Sequence, residues 1–477
     1  MPGRVTGLPG PSEEVVMDDA VLEKLRTALR GPVIGPKDPE YERARRIYNG
    51  MIDRRPAAIA RCADAADVMD TVDFVRDRGL ELAVRGGGHS GAGLCLVDDA
   101  ITLDLSLMRW VRVEPVARIA QVGGGTVLGD LDHAAHGFGL ATPSGIQSTT
   151  GVGGLTLGGG HGHLTRKYGL TVDNLLSADV VLADGSFVTA NEKDHAELFW
   201  ALRGGGGNFG VVTSFTYELH PVHTVVGGVT VWTLDRIRDV LEWYRDFLPQ
   251  APGDLNGFFV ELAVPPAPPF PEEIHGQRMC GVVWCWTGDV DSADQTFAPV
   301  RDPGPPAFHF TAPMPYPALQ SMFDGLLPTG LQWYWRGDFF DRITDEAIDV
   351  HAKYAEGIPT SLSTMHLYPV DGAAHRVKPG DTAWAYRDAT WSGVFAGIDP
   401  DPANAETIRQ WAVDYWEEMH PHSMGGGYVN FMGSGEGQDR VRATYRDHYE
   451  RLAAVKRAYD PHNFFHANQN IAPAPQG

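Results

Sequence analysis

The chain has 477 residues, a formal net charge of −22, 43% hydrophobic residues and 10% aromatic residues. At roughly 150 residues per domain this suits about three domains or one large two-lobed enzyme, and the apolar content excludes a disordered or fibrous protein. The acidic balance, with no basic run, excludes nucleic acid and anionic membrane surfaces as partners.

In chain order, residues 18–30 read as a helix stopped at Gly31. A second helix is expected from Asp64 to Arg78, with Val68, Val72 and Val75 on one face, Asp64 as N-cap and Gly79 as the stop. Residues 82–85 form a short strand that runs into a glycine turn, and Ile101, Leu103 and Leu105 alternate as another strand. Residues 178–183 and 186–190 flank Asp184-Gly185, a favoured hairpin turn. Val211, Thr213, Phe215, Tyr217 and Leu219 give the clearest alternation in the chain. Residues 1–221 are thus expected to form an α+β lobe built around glycine turns.

After Pro221 the texture changes. Proline-rich loops are expected near 265–271 and 303–317, and residues 235–248 carry an apolar stripe of Ile237, Val240, Leu241, Tyr244, Phe247 and Leu248. Residues 222–425 read as a second lobe of antiparallel strands covered by helices. Residues 426–477 contain a single long helix over 438–458 and are expected to return to the first lobe. Four cysteines are too few for a disulfide framework, and Cys280 and Cys285 sit around an alternating strand, so buried thiols are expected. No apolar leader core or run of 18 apolar residues is present, and cytoplasm is the expected location. His161-x-His163 and His420-x-His422 lack a third ligand at suitable spacing, so no metal is expected.

With seven lysines against 56 glycines, any bound anion is expected to be held by backbone N–H groups. The glycines cluster accordingly. Gly145–Gly162 holds eight in eighteen positions, and Arg85-Gly-Gly-Gly-His89-Ser90 and Gly123-Gly124-Gly125 each follow a strand. Glycine permits positive φ and close approach of a ligand to the backbone. Three such turns in one lobe favour a dinucleotide cradle, though neither a Rossmann nor a P-loop pattern fits them.

These segments resemble the berberine bridge enzyme-like family of FAD-linked oxidases, within the vanillyl-alcohol oxidase superfamily. The resemblance is carried by Arg85–Ser90, Thr149–Gly162, Arg166–Asn174 leading to Val180–Gly185, and Phe199–Gly210. It continues in Tyr428-Val-Asn430, Arg451–Pro461 and Asn470-Ile471. It implies an α+β fold with a PCMH-type two-subdomain FAD-binding lobe and a substrate lobe whose antiparallel sheet is covered by helices. It also implies FAD attached through His89. Around the cofactor it places Arg85, Gly86, Gly87, Gly88 and Ser90, then Gly145, Gln147, Thr149, Thr150, Gly151, Gly154, Gly159, Gly160, His161 and Gly162. Asn174, Val180, Asn430, Asn468 and Asn470 complete the implied set.

Two positions depart from the family pattern. Many relatives attach the flavin a second time, through a cysteine at the position of Gln147, so a single covalent bond is expected here. The oxygen-access position, usually valine in oxidases, is Thr150, which keeps the shape and adds a hydroxyl.

The implied reaction oxidises a C–H next to O or N of a small molecule by hydride transfer, a base taking the adjacent proton, with O2 as the acceptor. Tyr428 is the first candidate base, its phenol needing help from a cation such as Arg336 or Arg387. Trp333, Trp335, His351, His366 and Tyr368, with Tyr334 and Tyr386, are candidates for a substrate pocket. Alternation puts Trp333 and Trp335 on one face of a strand and Tyr334 and Arg336 on the other, without saying which face is core. A dehydrogenase with another acceptor and a non-catalytic flavin carrier stay open as alternatives.

Overall fold

The computed structural model describes residues 18–475, which build three large sheets and a two-stranded one that pairs Leu140–Ala141 with His220–Pro221. The first has four strands in the order Val33–Ile34, Ala58–Arg61, Ile101–Asp104, Leu82–Arg85, the last three mutually parallel. The helix Ala65–Asp77 crosses between two of them. Asp64 caps it by accepting from the N–H groups of Ala66 and Asp67, and Gly79 at φ +62° ends it. Val68, Val72 and Val75 are fully buried against the strands. Ile101–Asp104 is buried on both faces, as the centre of a covered parallel sheet must be, so Thr102 and Asp104 are as enclosed as Ile101 and Leu103. The first helix is shorter than expected, Asp19–Ala28 rather than 18–30, because Leu29 already takes an extended conformation.

The second sheet has five antiparallel strands, Val111–Glu114, Ile119–Gly123, Val211–Glu218, Leu175–Val181 and Phe187–Asn191 in spatial order. The expected hairpin joins the last two, with Gly185 at φ +82°.

The third sheet is antiparallel with seven strands, Phe308–Pro315, Thr224–Thr233, Arg278–Trp286, Leu255–Ala263, Thr364–Pro369, Trp391–Asp399 and Gln332–Phe340 in spatial order. Helices Ile237–Gln250, Asp345–Glu356 and Ala405–Met419 pack on one face and share one core with it. The other face looks toward the glycine-rich segments of the first lobe. The second proline-rich stretch is thus not simply a loop: residues 308–315 are an edge strand. There Pro313 and Pro315 are tolerated, since an edge strand needs N–H donors on one side only. All four cysteines are buried and unpaired, Cys280 and Cys285 inside Arg278–Trp286.

The closing segment packs into the first lobe. Val429, Met432, Val441, Tyr445, Tyr449, Leu452 and Ile471 share a core with Leu128, Val180 and Phe215. The single helix expected over 438–458 is two, Gln438–Tyr445 and His448–Tyr459. Arg446 breaks it at φ +47°; its guanidinium lies over the Tyr386 ring at 3.6 Å and pairs with Asp388 at 2.7 Å. Those tertiary contacts hold a conformation that the local sequence does not announce. Lys456 is fully buried, its Nζ donating to Asp460 Oδ2 at 2.6 Å and to the carbonyls of Asn208 and Phe465. Among the described residues, no helix is long and apolar enough to cross a membrane.

One buried acid couples this fold to pH. Asp132, on the helix Leu128–His136, accepts from Gln320 Nε2 at 3.2 Å, and desolvation pushes its carboxyl up to about 7. An unfolded aspartate ionises near ~3.9, so the stability the protonated group contributes is complete below that value and is lost as pH rises through about 7. Asp132→Asn should therefore melt higher than wild type, with a margin that widens between about pH 5 and about pH 8, at ~1 °C per kcal/mol. A margin constant across that range in thermal melts would show that this carboxyl does not govern the response.

Candidate active site

The first sheet, the second sheet and the open face of the third enclose a cavity of about 380 Å³. Glycine backbone forms one side. Gly87 and Gly151 approach so closely that a Cβ added to either would lie 2.4 Å from the other's backbone, and Gly88 holds φ +70°. Gly86, Gly124, Gly145, Gly153, Gly154, Gly206, Gly207 and Gly210 extend this surface. The opposite side is aromatic, from Trp333, Trp335, His366, Tyr368 and Phe431. The alternation in Gln332–Phe340 is thereby resolved. Trp333 and Trp335 face the cavity, while Tyr334 packs into the helix-covered core and Arg336 lies over Trp416 at 4.6 Å.

His89 stands between the two sides. It follows Leu82–Arg85 directly, so the strand end and the glycine turn aim it into the cavity. Its ring stacks on Tyr48 with centroids 3.6 Å apart, and its Nε2 lies 3.1 Å from Thr149 Oγ1. Burial lowers its pKa to about 3, leaving the imidazole neutral. Gln147 Nε2 donates to the Tyr48 hydroxyl at 3.0 Å and to the Leu327 carbonyl at 3.0 Å. Gln147 and Tyr48 thus brace the histidine from behind.

Of the other implied positions, Ser90, Thr150, His161, Asn430 and Asn468 also line the cavity. Several act from one layer back. Arg85 donates to Asp104 Oδ2 at 2.6 Å and to the Ala44 carbonyl at 2.6 Å, fixing the strand that carries His89. Asn174 Nδ2 donates to the carbonyls of Tyr168 and Leu170, and Val180 packs behind Gly210. Gly159, Gly160 and Gly162 let the turn pass Trp384, Thr171 and the Ser144 carbonyl, where a Cβ would collide. Asn470 accepts through its carbonyl from Gln438 Nε2 at 3.2 Å and lies outside the lining.

Five expected site residues are elsewhere. Arg336 points to the helix-covered face with Tyr334. Arg387 is locked in a buried two-point pair with Asp173 at 2.6 and 2.9 Å. His351 lies behind the sheet with Glu261 and Tyr415, at 3.0 and 2.5 Å from its Nδ1. Tyr386 is also buried away from the cavity, donating to the Ala443 carbonyl at 2.8 Å. Tyr428 does line the cavity, but neither arginine reaches it. Its hydroxyl oxygen accepts from Gly160 N–H at 3.1 Å and Asn430 Nδ2 at 2.8 Å, and burial raises its pKa above the ordinary phenol range.

Tyr48, Phe431 and the Gly206–Asn208 turn also border the cavity. The glycine run 204–207 marks the last of these in the sequence. Tyr48 has no such mark, since it enters from an irregular segment and meets Gln147 across 99 positions.

No Asp, Glu, Lys or Arg lines the cavity among the described residues. Both ring nitrogens of His161 and the Oδ1 of Asn468 are buried without hydrogen-bond partners among the described residues. A backbone cradle and neutral polar groups fit FAD, whose pyrophosphate would meet N–H groups rather than cations.

A site of this kind in this three-sheet frame defines a flavin-dependent oxidoreductase. An FAD binding domain model matches residues 56–191, and a "Berberine and berberine like" model matches residues 427–472. The (R)-6-hydroxynicotine oxidase of Paenarthrobacter nicotinovorans is 32% identical over 475 residues, covering 94% of this chain and 99% of that protein. An FAD-linked oxidoreductase of Dictyostelium discoideum is 29% identical over 458 residues, covering 95% and 97%. The crystal structure of 6-hydroxy-D-nicotine oxidase from Arthrobacter nicotinovorans superposes with a TM-score of 0.82 at 28% identity, covering 94% of this chain and 98% of that one. Berberine bridge enzyme from Eschscholzia californica shares the fold, with a TM-score of 0.83 at 21% identity over 96% of this chain and 100% of that one. The chain belongs to the berberine bridge enzyme-like FAD-linked oxidoreductases.

The contact between Gly87 and Gly151 gives a direct test. Gly87→Ala or Gly151→Ala forces the two backbones apart at a cost of about 1–3 kcal/mol. Each variant should be purified with markedly less FAD than wild type, read as visible absorbance per mole of protein. Gly325→Ala, outside the cavity lining and with nothing within 4 Å of an added Cβ, should keep its flavin like wild type.

Proposed function

We propose that this enzyme holds FAD through one covalent bond from His89. On this reading it oxidises a C–H next to oxygen or nitrogen in a small molecule and passes the electrons to O2 to give hydrogen peroxide. The observation that carries the reading is the position of His89, a neutral imidazole aimed into a cavity with a glycine-backbone side and an aromatic side. When bound, FAD supplies a two-electron acceptor.

The chain's own residues do the rest. Gly86–Gly88 and Gly151–Gly154 offer backbone to the cofactor, while Thr149 and Tyr48 hold the His89 ring. Trp333 and Trp335 displace water from the side where substrate enters. Gln147 cannot form a thioether. Cys95 also borders the cavity, but burial pushes its thiol up to about 11, so it stays protonated and unreactive. Both features support a single bond. The name of the hydroxynicotine oxidase supports oxygen as acceptor and a small ring compound as substrate.

Acid-precipitated protein should keep its yellow colour in the pellet, and His89→Ala should release that colour to the supernatant. After anaerobic reduction, mixing with air should restore the oxidised spectrum rapidly and yield one peroxide per flavin. Slow reoxidation would instead assign the enzyme to the dehydrogenases.

A further inference from the structure

Besides His89 and Tyr48, which brace each other, four titratable side chains border the aromatic side of the cavity: His161, His366, Tyr368 and Tyr428. Both nitrogens of His161 are sealed off, its ring lying 4.9 Å from Tyr368, 4.6 Å from Tyr428 and 5.5 Å from Phe431. The Tyr428 hydroxyl already accepts two hydrogen bonds. His366 differs. Its Nδ1 lies 2.6 Å from the Tyr368 hydroxyl, while its Nε2 has no partner among the described residues and is not sealed. The two residues sit at alternate positions of Thr364–Pro369, so the strand presents both on its cavity face.

We propose that His366 is the catalytic base, that Tyr368 is its positioning residue, and that the substrate is an uncharged hydroxyl compound with a flat apolar body. This rests on the flavin-oxidase reading above. With the ring proton on Nδ1, His366 donates to the Tyr368 oxygen, which leaves the Nε2 lone pair for the substrate hydroxyl. The substrate's O–H and C–H bonds break and a C=O bond forms. The proton goes to Nε2, the hydrogen with its electron pair goes to oxidised FAD, and O2 takes the two electrons with two protons to give peroxide. Tyr368 then faces an imidazolium and stabilises it through the same hydrogen bond. Burial keeps the His366 ring uncharged before substrate binds.

The substrate class follows from the lining. An alkyl amine, with a pKa near ~10, is almost wholly cationic at neutral pH. Among the described residues no carboxylate borders the cavity to receive it, and an unpaired buried ammonium costs several kcal/mol. A neutral alcohol carries no such penalty, and its body can lie against Trp333, Trp335 and Phe431.

The test uses the purified, flavin-loaded enzyme, with 1-phenylethanol and 1-phenylethylamine as a matched pair. Binding is read as perturbation of the flavin spectrum under anaerobic conditions. The alcohol should bind at least about tenfold more tightly than the amine at neutral pH. Equal or tighter amine binding, or no perturbation by the alcohol, overturns the substrate class. His366→Ala and His366→Gln, which should keep the wild-type flavin spectrum, should slow single-turnover bleaching by the alcohol by about 100-fold or more. Its Kd should move little, and added imidazole should restore part of the rate in His366→Ala. Tyr368→Phe should lose about tenfold, without imidazole rescue. Unchanged bleaching in both His366 variants, or loss of binding and rate together, overturns the base. A colourless wild-type protein would instead overturn the flavin reading itself.

Discussion

The cavity depends on two stretches of backbone that come too close for side chains. Gly87 and Gly151 belong to different segments, one following a parallel strand and the other opening the helix Val152–Leu157. Their contact brings the first glycine turn against the second and sets where His89 projects. Arg85, paired with Asp104, holds the strand before the turn, and Gly124, beyond the second sheet's strand Ile119–Gly123, closes the surface from below. A methyl group at either contact would change the shape of the whole wall, because backbone cannot rotate away as a side chain can.

The electrostatic plan matches this geometry. The protein carries many charges, yet its buried ion pairs stand outside the cavity. Arg85–Asp104, Arg166–Asp371, Arg387–Asp173 and Lys456–Asp460 each fasten a loop, strand or helix end one layer back. In such places a pair helps to fix one arrangement even where its net contribution to stability is small. The cavity is left with histidines and tyrosines whose charged forms burial disfavours: His161 and His366 both titrate near 3, and Tyr368 and Tyr428 sit above the ordinary phenol range. Dipoles, hydrogen bonds and ring faces set its chemistry.

What the sequence discloses, and what it hides, follows from where each cause lies. Asp64 with Gly79 and the Asp184-Gly185 turn act within a few residues, so the helix and hairpin they bound are plain in the sequence. The glycine clusters are equally plain, since their conformational needs are local. The faces of Gln332–Phe340 are hidden because both are apolar: one meets helices and the other the cavity, so period alone cannot choose. Arg336 and Arg387 looked available to Tyr428 only because their partners, Trp416 and Asp173, lie far away along the chain. The break at Arg446 depends on Tyr386 and Asp388, and the place of Tyr48 depends on Gln147 and His89. Long-range contacts decided each of these, and a single sequence does not display them.

The route of the closing segment constrains when the protein can become an enzyme. Tyr428–Met432 and Ala467–Gln469 form part of the cavity wall, and the helices between them complete the core beneath the second sheet. Both wall pieces come from late in the chain, while the turn bearing His89 comes from its first hundred residues. During synthesis the histidine therefore emerges long before the chamber around it exists. The chamber is complete only once translation has passed Gln469 and Lys456 has engaged Asn208 and Asp460.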